Sequence, residues 1–356
     1  AGAYTAGGDA LGFHTYSAEL LARAGGDKPT QLDYSIVYSY DRWYPTFTLA
    51  GFGYSDDADI TIVRDAERTT YRERTDRALA QMTIPYRRVR WQTYATGGVV
   101  RDHIESDLPF DIAPSSLARA GIFTGTLQGI RAGVTFNNAT EFGFSISPEN
   151  GITTIVEAEN LSRALGSDAS LRQYRGELRG YRAIPFARAP LGRHVIAARV
   201  AAGTTSGDFV LQRELKVGGI AEGEFAMLDT TRFSVRGYPG GVLRGDSAAI
   251  ASIEYRFPIW QIDRGPGAWP IFFNRILGDV FYDTGSAWNR RAVTLPALTR
   301  PRSSATDRRI SSAGVELGFD VVLGFFSPLR YRIGAAYPFD DRGNGVNFYA
   351  AFGSSF

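Results

Sequence analysis

Few side chains in this sequence are set up to do chemistry. The three histidines, His14, His103 and His194, are far apart in the chain. Strand phase puts His14 and His194 at one end of the fold and His103 at the other, so they cannot share a metal. The chain has no Cys, which removes disulfides, thiol catalysis and Cys-ligated metals. No Gly-x-Ser-x-Gly elbow, phosphate loop or Gly-x-Gly-x-x-Gly turn occurs. Glu157 with Glu159, and Glu316 with Asp320, are same-face carboxylates on strands and read as ordinary charge lining an interior. The expectation is a protein that is not an enzyme and needs no catalytic residues, metal or cofactor.

The constellation that stands out is an arginine set against carboxylates. Arg236 lies in Val235-Arg236-Gly237-Tyr238, within a long segment (206–246) between two strands. A connection of about 40 residues is far longer than a hairpin needs, and such loops are functional or disordered. Gly218, Gly219, Gly223, Gly237, Gly240, Gly241 and Gly245 permit sharp re-entry. In the strand that follows, Glu254 and Arg256 share the face opposite Ile253, Tyr255 and Phe257. In the next strand Asp279, Phe281, Asp283 and Gly285 share a face. One arginine followed by two inward strand carboxylates predicts a loop folded back and pinned by a buried ion pair, with bidentate, charge-assisted contacts. Phe281 shares that inward face and is placed to pack on the loop.

The elements that position these residues are strands. Val315, Leu317, Phe319, Val321, Leu323 and Phe325 share one face; Gly314, Glu316, Gly318, Asp320 and Gly324 share the other. Leu329, Tyr331, Ile333, Ala335 and Tyr337 alternate with Arg330, Arg332, Gly334 and Ala336. Leu32, Tyr34, Ile36, Tyr38 and Tyr40 alternate with Asp33, Ser35, Val37, Ser39 and Asp41. One face is large and aromatic, the other carries Gly and full charges. A soluble sandwich packs its large residues inward, whereas a transmembrane barrel points them at lipid and keeps a polar lumen. The fold expected is all-β: a transmembrane antiparallel β-barrel of 14–16 strands, with 206–246 as an external loop folded into the lumen.

Fourteen strands are counted within 12–356, and residues 1–11 read as a Gly-rich turn or strand remnant. Connections alternate short (Asp41 to Pro45, Pro85 to Arg88, Pro185 to Arg193, Pro258 to Pro270, Phe326 to Pro328) and long (Asp56 to Glu73, His103 to Ala120, Ser206 to Asp246, Asn289 to Ile310). Outer-membrane barrels have short periplasmic turns and long external loops. Asn137 to Asn150 breaks the rule by falling on the short side without being short. Trp43, Tyr44, Tyr86, Phe186, Trp260, Trp269, Phe325, Phe326 and Phe356 fall near the short-turn ends, as an interfacial girdle would. Along the last strand Phe348, Phe352 and Phe356 are expected on one lipid-facing side, closing the seam. That strand is expected to be paired on both edges or to face a partner strand.

Composition sets the outer bounds. A chain of 356 residues suits one large barrel, and its net charge of +2 is too small to indicate nucleic acid as a partner. No apolar run approaches the roughly 18 residues of a membrane helix. No charged-then-apolar signal peptide is visible, so a processed or trimmed product is expected.

Val-Arg-Gly-Tyr, the Glu254-Tyr255-Arg256 strand, Phe281-Tyr282-Asp283-Thr284-Gly285 and a terminal aromatic occur here in that order. Together they resemble the BamA-type superfamily of outer-membrane assembly and translocation factors, the bacterial surface antigen domain. The resemblance is strongest from about Gly125 to Phe356. It implies a sixteen-stranded barrel whose sixth external loop enters the lumen, with Arg236 paired to Asp283 and Glu254 as second acceptor. Gly218-Gly219 lies well before Arg236, which implies an insertion in that loop. The function implied is insertion or translocation of proteins at the outer membrane of a Gram-negative-type bacterium. The partners implied are outer-membrane lipid, an unfolded outer-membrane or secreted protein client, and a periplasmic or N-terminal partner domain. The alternatives are a passive outer-membrane channel, or a membrane anchor for an N-terminal domain.

Overall fold

The computed structural model describes residues 2–25, 28–62, 67–107, 121–189, 192–220, 233–295, 298–324 and 327–356. Fifteen strands form one sheet in sequence order. They are β1 (Gly2–Gly8), β2 (His14–Gly25), β3 (Lys28–Tyr40), β4 (Thr46–Ile62), β5 (Glu67–Arg88), β6 (Trp91–Asp107), β7 (Gly125–Asn137) and β8 (Asn150–Leu161). Then follow β9 (Leu171–Ala189), β10 (Gly192–Gly207), β11 (Ser247–Arg264), β12 (Ile271–Trp288), β13 (Arg309–Leu323), β14 (Ser327–Pro338) and β15 (Asn347–Phe352). Every neighbouring pair is antiparallel, as hairpin-connected strands must be.

The alternation read from the sequence sets the two faces. Val315, Leu317, Ile333, Phe348 and Phe352 are exposed on the outer face. Glu316 and Arg332 are buried on the inner face, joined at 3.0 Å. The same inner face carries Arg77–Asp102 at 2.8 Å, Arg131–Glu157 at 2.8 Å and Arg199–Glu177 at 3.0 Å. A wall that is apolar outside and ion-paired inside matches a lipid-facing barrel around a polar lumen.

Several expectations are corrected. Residues Gly2–Gly8, read as a turn or strand remnant, form a full strand that adds to the fourteen within 12–356, so the sheet has fifteen strands among the described residues. Asp56 to Glu73 is not an extended loop: β4 and β5 stay paired out to Ile62 and Glu67. Strands that project beyond lipid lose the apolar-out requirement, so alternation fades while backbone pairing continues. Phe356 does not join Phe348 and Phe352 outside. β15 stops at Phe352, Gly353 turns with φ +79°, and Phe356 is buried inside against Tyr181, Val195 and Ala197. Phe325 and Phe326, residues 221–232 of the long loop and the side chain of Phe186 lie outside the described residues.

The seam also departs from expectation. Among the described residues β15 pairs with β14 alone, and β1 with β2 alone. With fifteen strands in strict antiparallel succession, β1 and β15 run in the same direction. A sixteenth strand placed between them runs antiparallel to both.

Candidate functional site

The long segment after β10 returns into the interior, as its glycines predicted. Leu215–Val217 pairs with Leu243–Gly245 as a short stem. From it Val217, Phe233, Val235, Tyr238 and Leu243 pack on Ala201, Ala248, Ile250, Ala287 and Ile310 of the wall. Gly285 lets the loop come that close: a Cβ there would lie 2.8 Å from Val235 and 2.9 Å from Val217. Gly218 and Gly219 sit beside the Arg236 segment despite their distance in sequence. The Gly218 amide donates to Phe233 O, and the Gly219 amide to Tyr238 O, both at 3.0 Å.

Arg236 is buried at the centre. Its Nε donates to Asp283 Oδ2 at 2.7 Å, and Nη2 to Asp283 Oδ1 at 2.8 Å. Its own backbone amide donates to the same carboxylate at 3.2 Å. Nη2 lies 2.8 Å from Glu254 Oε1 and donates to Ser252 Oγ at 3.3 Å. The guanidinium carbon is 3.5 Å from the Phe281 ring centre. Gly237, with φ +89°, presses on β14, where a Cβ would lie 3.0 Å from Ala336 Cβ. Its carbonyl accepts from Asn347 Nδ2 at 2.8 Å. The Tyr238 hydroxyl donates to Ser311 O at 2.8 Å. Three consecutive residues, Arg236, Gly237 and Tyr238, thus join β11, β12, β13, β14 and the start of β15.

All five predicted lock residues, Arg236, Gly237, Tyr238, Glu254 and Asp283, meet at this site, and Phe281 joins them. Sequence reasoning missed Ser252, Asn347 and Tyr349, whose hydroxyl donates to Glu316 Oε2 at 2.8 Å. Ser252 was legible in principle, because it shares a face with Glu254 two residues on. Phe348 and Phe352 are placed outside, away from the lock, whereas Phe356 reaches it. Arg256 donates to Glu254 Oε2 at 2.8 Å and 2.6 Å and lies 4.8 Å from the Phe356 ring centre. Ser355 Oγ donates to the same Glu254 oxygen at 2.7 Å. One fully buried carboxylate therefore receives both the loop and the C-terminal tail. The remaining space beside Arg236, Asp283 and Phe356 is only about 10 Å³, at most one water.

A second contact crosses the interior at the short-turn end. The 138–149 segment, the exception in the sequence reading, folds inward and buries Ser145, Ile146, Ser147 and Glu149. Arg275 of β12 donates to Phe144 O at 3.1 Å and Ser145 O at 2.8 Å. Arg330 of β14 donates to Ile146 O at 2.8 Å. Asp320 holds both arginines, at 3.0 Å from Arg275 and 2.9 Å from Arg330.

An antiparallel wall apolar on its outside, with a long loop clamped by arginine inside an ion-paired lumen, defines a membrane β-barrel of the outer-membrane type. The chain matches the Omp85 superfamily domain over residues 20–356 and belongs to that superfamily. The fold is similar to a solved BamA from Haemophilus ducreyi lacking POTRA domains 1–3, at TM-score 0.55 and 15% identity. The match covers 99% of this chain and 69% of that one. CdiB from Escherichia coli matches at TM-score 0.65 and 12% identity, over 99% of this chain and 59% of that one. CdiB from Acinetobacter baumannii matches at 0.63 and 13%, over 99% and 55%. This chain therefore spans little more than half the length of the two CdiB proteins. No curated protein matches it.

Proposed function

We propose that this chain is the membrane barrel of a factor that inserts proteins into, or translocates them across, the outer membrane of a Gram-negative-type bacterium. The observation that supports this reading best is the arginine-clamped loop inside the wall of a chain that belongs to the Omp85 superfamily. Among the described residues β15 pairs with β14 alone, and an edge in hydrocarbon costs several kcal/mol for each backbone group left unpaired. Such an edge is a template for strand addition. A client strand added at β15 runs antiparallel to it. The loop, anchored on β11 to β15, stiffens the wall beside β15 so that the edge keeps its shape as the seam opens. On this reading the protein is not an enzyme, and its partners are lipid and an unfolded client, with a periplasmic or N-terminal domain delivering the client.

A passive channel is disfavoured by the packing of the lumen around Arg236 and Phe356. The discriminating experiment reconstitutes the protein in liposomes and follows protease protection of a denatured client barrel, with planar-bilayer conductance in parallel. Accelerated client insertion with little steady conductance is expected. A large constant conductance with no effect on the client would overturn the proposal in favour of a channel.

A further inference from the structure

Away from the lock, an apolar hollow of about 640 Å³ opens on the outer face of β3 to β7. That lies within the roughly 300–1,000 Å³ of small-ligand sites. Cross-strand register builds it. Leu49, Ala80, Val99 and Ile130 stand abreast in one row. Gly51, Ala78, Arg101 and Gln128 form the row on its long-loop side. Ile36, Leu49, Val99 and Ile130 are about half exposed and form the banks. The small residues between them leave the middle of the wall low. A lip overhangs one end: the Leu165 carbonyl accepts from Gln128 Nε2 at 2.8 Å, and Leu165 itself lines the hollow.

Arg101 stands at that same end, exposed and outward, next to buried Val100 and Asp102 that point inward. Neighbouring polar groups are already engaged. Asp76 is held by Arg74 at 3.0 Å and by the Tyr34 hydroxyl at 3.1 Å. Glu105 meets His103 at 3.2 Å. Arg101 has no such partner among the described residues. Its height is set by the strand. Trp91 packs with Tyr86 and Phe136 at the short-turn end. Ten residues on, at about 3.3 Å each and with a tilt of about 40°, Arg101 stands about 25 Å above them. That is about the height of the apolar band, so a cation with no partner among the described residues sits at the opposite interface, beside a hydrocarbon-shaped hollow.

We propose that this hollow holds one phosphorylated lipid of the external leaflet, its phosphate on Arg101 and Gln128 and one acyl chain lying beneath Leu165. The inference rests on the membrane-barrel reading and its orientation, but not on the insertion activity.

The test is native mass spectrometry of the full chain released from detergent, with lipid A as probe. Zwitterionic phosphatidylethanolamine and inorganic phosphate are the comparators. One lipid A should be retained in preference to both. Arg101→Gln should weaken retention about tenfold, the effect of one lost charge-assisted hydrogen bond. Ala80→Phe should exclude the acyl chain by filling the hollow, while Arg87→Gln at the other interface should change nothing. Heat-shifted gel mobility establishes that each variant is folded. Lipid A held no better than phosphatidylethanolamine, or held undiminished by either hollow variant, overturns the site. Inorganic phosphate competing as well as lipid A overturns the assignment to a lipid. Failure of client insertion with lipid retention intact counts against the proposed function alone.

Discussion

Arg236 lies over Phe281, its guanidinium carbon 3.5 Å from the ring centre, while gripping Asp283 two residues along the same strand. Period-two geometry makes this possible, because residues 281 and 283 of β12 must point to the same side. The ring keeps water off one face of the cation and contributes about 0.5–2 kcal/mol of its own. The carboxylate takes the fork of the guanidinium edge-on. Such a pair stabilises only while complete: once one partner goes, a charge is left buried without compensation.

Arg236→Ala should therefore cost about 3–5 kcal/mol of loop docking. The readout is limited proteolysis of folded protein in vesicles, with faster cleavage expected between Lys216 and Arg244. Arg236→Lys should fall between, since an ammonium cannot match the bidentate fork. Protection equal to the unaltered protein in Arg236→Ala would show that hydrophobic packing of Val235 and Tyr238 holds the loop unaided.

The lock was legible because each of its parts obeys a local rule. Glu254, Phe281 and Asp283 are inward by alternation, and a Gly-rich segment too long for a hairpin has to go somewhere. Phe356 was misplaced because parity was carried past the end of its strand. Gly353 breaks the alternation, and its amide donates to Arg330 O at 2.8 Å, turning the tail inward. The contacts of Arg275 and Arg330 with residues 144–146 were invisible for another reason. They join elements far apart in sequence that meet only because the sheet curves round an interior, and no local pattern records that. What the sequence did supply there was an anomaly, a connection too long for its side.

Outer-face substitutions should obey depth. Leu317 lies near the middle of β13 and is exposed to lipid, whereas Leu323 sits at the short-turn end of the same strand. Leu317→Arg should cost about 2–4 kcal/mol, and Leu323→Arg about 0–1 kcal/mol. Urea titration of refolding into vesicles measures both. Equal costs would mean that this face does not traverse the hydrocarbon layer.

The inward segment 138–149 should act as a barrier at the short-turn end. Removing both Arg275 and Arg330 strips the donors from the carbonyls of Phe144, Ser145 and Ile146 and takes both arginines from Asp320. An unsatisfied buried group costs about 1–3 kcal/mol, so the segment should detach. The double alanine variant is expected to show raised single-channel conductance, with protease access near Phe142 and Phe144. Asp320→Asn should give a milder form of the same result, because the arginines stay but lose their anchor. If conductance is unchanged while the segment is cleaved, the lumen is sealed at the Arg236 level alone.

The seam is the most consequential place to test. β15 has only six residues, and the natural fit beside the last strand of an antiparallel wall is one more antiparallel strand. A photoreactive residue at Ala350 of β15 should therefore crosslink an arresting client strand. Val280, on the outer face of β12 opposite Val315, should give no product. No client product at Ala350 would mean that β15 does not template the strand. Crosslinks as strong at Val280 would mean that the client adheres to the wall and is not templated by it.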